Sequence, residues 1–200
     1  MKKILIATTN QGKFEEIVAQ LKKLPFKFLN LNSIKLKNNT EVDEPYATTW
    51  ENALHKAKFY AKKTGLLTIA EDTAFCVDYI KGKPGIKAKR FGKTADERNK
   101  KILKMLSGVK KSKRQAFFLT HGCIYNPKNN DFHIFQGRVD GVITAKMSDD
   151  KLREGMTYDL IFYHLPSNKL LSQMSILQKN KISHRGQLVK QIKEFLKNNY

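Results

Sequence analysis

Cysteine is nearly absent: of 200 residues only Cys76 and Cys123 carry a thiol, far apart and without metal-ligand spacing. A disulfide framework is therefore excluded, and a reducing, cytoplasmic setting is expected. Long apolar runs are missing too, so no membrane partner is expected. The opening MKKILIATTNQGK superficially resembles a secretory leader, but its apolar run stops at Thr8-Thr9-Asn10 and no small-residue cleavage site follows. A first β-strand fits it better. His55, His121, His133 and His164 show no His-Glu-x-x-His spacing, which argues against a zinc site. Acids are scarce: 18 Asp and Glu stand against 38 Lys and Arg, a net charge of +20. Such a field draws polyanions. Yet the lysines are scattered, from Lys22-Lys23 to Lys62-Lys63, Lys100-Lys101, Lys110-Lys111 and Lys197, with no basic stripe interleaved with aromatics. The excess reads as solvated helix faces, and specific nucleic-acid binding is not expected.

What is present is an ordinary 40% of apolar residues, enough for a core, in a length suited to one domain spanning 1–200, built as one unit or as two close lobes. Strand-like and helix-like segments alternate, the pattern of an α/β protein. Lys3–Thr8 suits a buried strand. Gly12–Leu24 places Phe14, Ile17, Val18 and Leu21 on one helical face. Phe26–Leu31 suits a second strand, and a polar loop, Lys35–Pro45, leads to a helix over Thr48–Lys63 with Trp50, Ala53, Leu54, Ala57, Tyr60 and Ala61 on its core face. Leu66–Ala70 is a buried strand ending in Glu71-Asp72-Thr73, and Thr94–Leu106 a helix. Gln115–Tyr125 and Phe132–Val139 flank Asn126–Asn130 as a hairpin. Gly141–Thr144 suits another short strand, and Gly186–Lys197 a closing helix. A mixed sheet with helices packed around it satisfies this order.

Three groups of residues offer chemistry. Thr8-Thr9-Asn10-Gln11-Gly12-Lys13 joins a buried strand to an amphipathic helix, where free N–H groups and the helix dipole favour an anion. Gly12 permits close backbone approach and Lys13 adds charge, although the Walker A pattern is absent. The same segment reads equally well as a plain helix cap with an exposed lysine. Glu44, Glu51, Glu71 and Asp72 supply carboxylates, and magnesium is commonly held by one or two of these together with substrate phosphates. Taken singly, each also reads as a solvated acid. Lys179 and Ser183-His184-Arg185 offer donors for a carbonyl or a phosphate, or else a cap for the last helix.

Taken in order, these segments resemble the inosine triphosphate pyrophosphatase family over nearly the whole chain. The resemblance is carried by Thr8-Thr9-Asn10-Gln11-Gly12-Lys13 with Glu16, Glu44 with Glu51-Asn52-Ala53 and Lys56-Ala57, and Ala70-Glu71-Asp72-Thr73. It continues through Pro84-Gly85-Ile86 with Arg90, Arg114-Gln115-Ala116 with Phe118, Gly137 and Gly141, Tyr158-Asp159, Lys179 and Ser183-His184-Arg185. It implies an elongated mixed β-sheet flanked by helices, two lobes with a central active-site cleft, a homodimer and Mg²⁺. The implied reaction is hydrolysis of a deaminated purine nucleoside triphosphate (ITP, dITP or XTP) to the monophosphate and pyrophosphate. By the same resemblance Thr8, Thr9, Asn10, Gly12 and Lys13 hold the triphosphate, with Lys56 nearby. Glu44 and Asp72 hold the metal, assisted by Glu71. Asp72 handles the attacking water, and Thr73 touches the substrate. Met156, Thr157, Tyr158, Asp159, Lys179, His184 and Arg185 surround the base.

The chain departs from the family in the base loop. Where the family reads aromatic-Gly-aromatic-Asp-Pro, this sequence has Met156-Thr157-Tyr158-Asp159-Leu160. Met156 removes a stacking ring while retaining a polarisable side chain, and Thr157 restricts backbone approach. Ala88 and Lys89 replace the usual Ser-Ala, and Gln173 stands where an acid is common. Two other readings follow: a pyrophosphatase acting on another modified nucleotide, and a basic nucleic-acid-binding protein with a decayed nucleotide site.

Overall fold

The computed structural model describes residues 1–34 and 42–200. Among these, β1 (Lys2–Ile6), α1 (Gln11–Leu21), β2 (Phe26–Asn30) and α2 (Thr49–Thr64) precede the long strand β3 (Leu67–Val77). After it come β4 (Pro84–Gly85), α3 (Ala95–Met105), the hairpin β5 (Gln115–Tyr125) and β6 (Phe132–Ile143), then β7 (Phe162–His164) and β8 (Lys169–Leu170). α4 (Ile176–Ile182) and α5 (His184–Asn199) close the chain. The strands form one mixed sheet in the order β2-β1-β3-β5-β6-β7-β8, with β4 beside β3. β1 pairs in parallel with β2 and β3, and all other pairs are antiparallel.

Helices cover both faces of the parallel end. Ile17 and Leu21 of α1 join Leu188, Val189 and Ile192 of α5 over Ile4, Ile6 and Ile69. Ala53, Ala57 and Ala61 of α2 pack on Leu5, Ala70 and Cys123 from the other side. A separate core joins Ile102 of α3 and Leu106 to Phe75, Phe118, Val139 and Phe162.

Several sequence expectations need correction. β3 does not stop at Glu71-Asp72-Thr73; it runs on to Val77 because β5 pairs with it from Thr68 to Val77. The acids therefore lie in mid-strand. Gly141–Thr144 is no separate strand, since β6 continues without a break to Ile143, still paired with β5 through Val142. Trp50 does not belong to the core face of α2: it is 43% exposed at the helix start, where small side chains make the contact with the sheet. α5 starts at His184 rather than Gly186, because Ser183 caps it by accepting from Gly186 N. α4 gave no periodic signal, being only two turns long. Most of the expected loop Lys35–Pro45 lies outside the described residues.

Candidate active site

The site follows from the unequal partners of β3. Its edge facing β1 is paired at Leu67–Ile69 and next meets β4 at Phe75. Between them Glu71–Ala74 lie at an opening in the sheet. Successive side chains in a strand point to opposite faces, so Glu71 turns towards α1 and α5 while Asp72 turns towards α2.

On one side of the opening the chain leaves β1 and enters α1. Asn10 is the N-cap, its Oδ1 accepting from Lys13 N at 3.0 Å, and Thr8 Oγ1 accepts from Asn10 N at 3.1 Å. The cap and phosphate-loop readings of this segment thus fall on the same atoms. Lys13 Nζ sits 2.9 Å from Glu71 Oε1. From α2, Lys56 pairs with Glu44 and donates to the Glu71 carbonyl at 3.2 Å, and Asn52 Nδ2 donates to Asp72 Oδ2 at 3.3 Å. Thr8, Thr9, Asn10, Lys13, Glu44, Lys56, Asp72 and Thr73 line one cavity of about 400 Å³. The lysine at the start of α1 and the aspartate of β3, 59 positions apart, therefore share a space.

Charge in this cavity is poorly balanced. Burial raises the Asp72 carboxyl above its ordinary range; Lys56 opposes the rise and the neighbouring Glu44 charge adds to it. Burial also raises Glu44, but Lys56, Lys13 and Lys89 together outweigh it and the net shift is downward. Two carboxylates that repel across a lysine-rimmed cavity are the oxygen set a hard divalent cation takes together with phosphates. Among the described residues no three His, Cys, Asp or Glu converge, so an all-protein metal cage is not the arrangement there.

A second cavity, of about 230 Å³, adjoins the first and shares Asn10, Lys13, Thr73 and Lys89 with it. Aromatic rings build part of its wall: His184 stacks on Phe118 at 4.7 Å, Phe118 on Phe75 at 4.5 Å, and Phe75 on Tyr158 at 4.3 Å. The Tyr158 hydroxyl donates to the Ala88 carbonyl at 2.7 Å. Met156, Thr157, Asp159, Lys179 and Arg185 complete the expected base residues, and all line this cavity.

Behind it lies a buried ion network. Arg185 grips Glu71 with two hydrogen bonds of 2.8 and 2.9 Å and reaches Glu16 at 2.6 Å. Lys179 pairs with Glu16 at 2.7 Å and with Asp159 at 2.6 Å, and touches Met156 Sδ at 3.3 Å. Burial alone would raise the Glu16 carboxyl; Lys179 and Arg185 overcome it and hold it down at about 2. Glu71 behaves alike, with Arg185 and Lys13 holding it well below the carboxylate range against burial. Burial raises Asp159 more than Lys179 lowers it, and Glu16 adds to the rise. His184 is kept well below its ordinary value by burial, with Arg185 and Lys179 contributing. It is therefore neutral at pH 7, and its Nδ1 has no partner among the described residues.

The two cavities interlock through their loops. Gly155 has φ +71°, and a Cβ there would lie 1.8 Å from Asn10 Nδ2. A Cβ on Gly12 would lie 2.3 Å from the Glu154 carbonyl oxygen. Sequence reasoning did not find Phe75 or Arg98, which also line the second cavity, and it noted Glu16 only as part of a motif. Phe75 was detectable in principle, since it shares the parity of Glu71 and Thr73 once β3 is extended. Arg98 lies within a charged helical turn and carried no such signal.

A model of the Ham1 family matches residues 4–195 of this chain. A protein from Thermoanaerobacter sp. (strain X514) named dITP/XTP pyrophosphatase is 33% identical over 197 residues, covering 97% of this chain and 96% of its own length. One of the same name from Vibrio vulnificus (strain YJ016) is 34% identical over 196 residues, covering 96% and 95%. Among solved structures, a HAM1 protein from Coxiella burnetii superposes with a TM-score of 0.84 at 29% identity, covering 99% of this chain and all of that one. The Staphylococcus aureus Ham1 protein gives 0.83 at 28% identity, with both chains fully covered.

Proposed function

This chain belongs to the Ham1 family, and on that footing we propose that it hydrolyses deaminated purine nucleoside triphosphates, ITP, dITP or XTP, to the monophosphate and pyrophosphate with Mg²⁺. The observation that carries this reading is the pair of joined cavities. One holds lysines with the carboxylates of Glu44 and Asp72, and the other is aromatic with buried donors; Asn10, Lys13, Thr73 and Lys89 lie between. That is the shape and polarity of a nucleotide laid across the opening of β3.

In this reading the N-terminus of α1, with Thr8, Thr9 and Asn10, binds the phosphates, and Lys13 and Lys56 offset their charge. Gly12, expected beside the phosphates, lines neither cavity and instead lets the Glu154 carbonyl approach. Glu44 and Asp72 would hold Mg²⁺, which would supply further charge neutralisation at the reacting phosphate. Asp72 takes the proton of the attacking water. The water oxygen bonds to the α-phosphorus, the α–β bridging P–O bond breaks, and pyrophosphate leaves. Glu71 is the least suited of the three acids to a metal, since Arg185 and Lys13 occupy both its oxygens. Its role is to orient them. At the base, neutral His184 and Arg185 present donors to the 6-carbonyl, which adenine replaces with an amine.

A homodimer is part of the same reading, supported by Tyr79 and Leu165, apolar side chains more than half exposed near the antiparallel end. So is a cytoplasmic location, supported by the two free thiols. No helix among the described residues is long and apolar enough to cross a membrane. The test is pyrophosphate release from a panel of ITP, dITP, XTP, GTP and ATP with Mg²⁺ or chelator. Preference for the deaminated purines and loss with chelator are expected. Equal turnover of ATP and ITP would overturn the substrate assignment.

A further inference from the structure

The row of rings His184–Phe118–Phe75–Tyr158 has two ends. One is held by His184 and Arg185; the other, through the Tyr158 hydroxyl, abuts Ala88 and the loop before α3. At this second end Arg98, in the first turn of α3, lines the cavity. Its guanidinium is anchored to the backbone: Nε donates to the Thr94 carbonyl at 3.1 Å and Nη1 to the Lys89 carbonyl. Nη2 donates to no protein group among the described residues. A half-buried cation anchored to two backbone carbonyls, with donors left over, thus lines the base cavity at the Tyr158 end of the ring row, the end away from His184.

We infer that Arg98 is a specificity residue that reads the second oxygen of the base, favouring xanthine over hypoxanthine and opposing guanine. The inference rests on the nucleotide reading above and deepens it. Xanthine carries a carbonyl at C2 where hypoxanthine has only hydrogen, and the second carbonyl makes its ring more acidic, so a nearby guanidinium gains both an acceptor and negative charge. Guanine carries an amino group there, which offers Arg98 only donors and leaves the cation facing like polarity. The C2 position is the one feature that separates these three purines, since all carry the 6-carbonyl.

Binding of the product monophosphates XMP and IMP to the full-length protein without metal tests this independently of catalysis. Wild type is expected to bind XMP more tightly than IMP, and Arg98→Gln to reduce that preference about tenfold while leaving IMP affinity within twofold or so of wild type. Arg98→Lys, which keeps the charge, should retain part of the preference. In turnover, the XTP:ITP ratio of kcat/KM should fall in parallel in Arg98→Gln, and GTP hydrolysis should rise. An unchanged XMP:IMP ratio in Arg98→Gln, including the case where both affinities drop together, would overturn the inference and leave Arg98 as a loop anchor only. Wild type that binds neither monophosphate and turns over no triphosphate would instead overturn the nucleotide reading itself.

Discussion

The two cavities hold similar residue types and use them in opposite ways. In the cavity of Lys13, Glu44, Lys56 and Asp72, the first three side chains are partly exposed, and Asp72, itself buried, keeps a carboxyl that burial and Glu44 raise. Behind the aromatic cavity, Glu16, Glu71, Lys179 and Arg185 are almost wholly buried and neutralise one another at 2.6–2.8 Å. In the first set Asp72 has no cationic partner among the described residues, whereas every charge of the second is paired within the protein. Desolvation explains the difference: a fully buried charge must be paired within the protein, whereas one at a cavity mouth can wait for phosphate or metal. Residues that look equally catalytic in a motif therefore divide into groups open to a ligand and groups that brace the wall, with Arg185 spending three N–H donors on the wall and keeping the others for the base.

The largest effect that would sharpen this contrast is expected from Asp72→Asn. Pyrophosphate release should fall about a thousandfold or more, while the urea midpoint stays near or above wild type, because a strained carboxylate has been removed. Substantial residual turnover would deny Asp72 its role. Glu16→Gln should do the reverse. Leaving Lys179 and Arg185 short of a counter-charge should cost about 3–5 kcal/mol of stability, read from equilibrium denaturation. Preserved stability would mean that the network can be rearranged cheaply.

Acid should separate the cavities as well. The Glu16 carboxyl is depressed from its ordinary 4.5 to about 2 in the folded protein. Its contribution is therefore fully present above about pH 4.5 and is lost as pH falls towards 2. Denaturation midpoints should drop across that window, less steeply in Glu16→Gln, and an equal slope in the variant would count against the assignment. Gly155→Ala is expected to cost about 1–3 kcal/mol, since φ is +71° and the new Cβ meets Asn10; it should also weaken phosphate binding through the displaced cap. The smallest effect is expected at exposed Trp50, where alanine should change stability by no more than about 0.5 kcal/mol.

Much of the fold was readable in the sequence. The 3.6-residue spacing of Ile17 and Leu21, or of Ala53, Ala57 and Ala61, declares a buried helical face wherever the helix finally docks. The apolar run before Thr8 and the Asn10 cap likewise act locally, so both ends of β1 and the start of α1 were placed to within a residue or two, while α1 ends at Leu21, three residues before the expected Leu24. Trp50 misled because a large apolar side chain satisfies the pattern without filling the core. The full length of β3 was hidden because polar Glu71, Asp72 and Thr73 interrupt its apolar run, and only pairing with β5 keeps them in strand geometry.

The sequence by itself determined which residues could carry charge, cap a helix or turn the chain, since these follow from side-chain chemistry and short-range spacing. Only the tertiary structure decided that adjacent Glu71 and Asp72 face different helices and so take different partners. It also decided that Arg185 closes on Glu71 from 114 positions away, and that Arg98 stands at one end of the ring row. Those outcomes depend on which strands pair and where β3 is left open, and long-range pairing is a property of the whole packed sheet rather than of any segment within it.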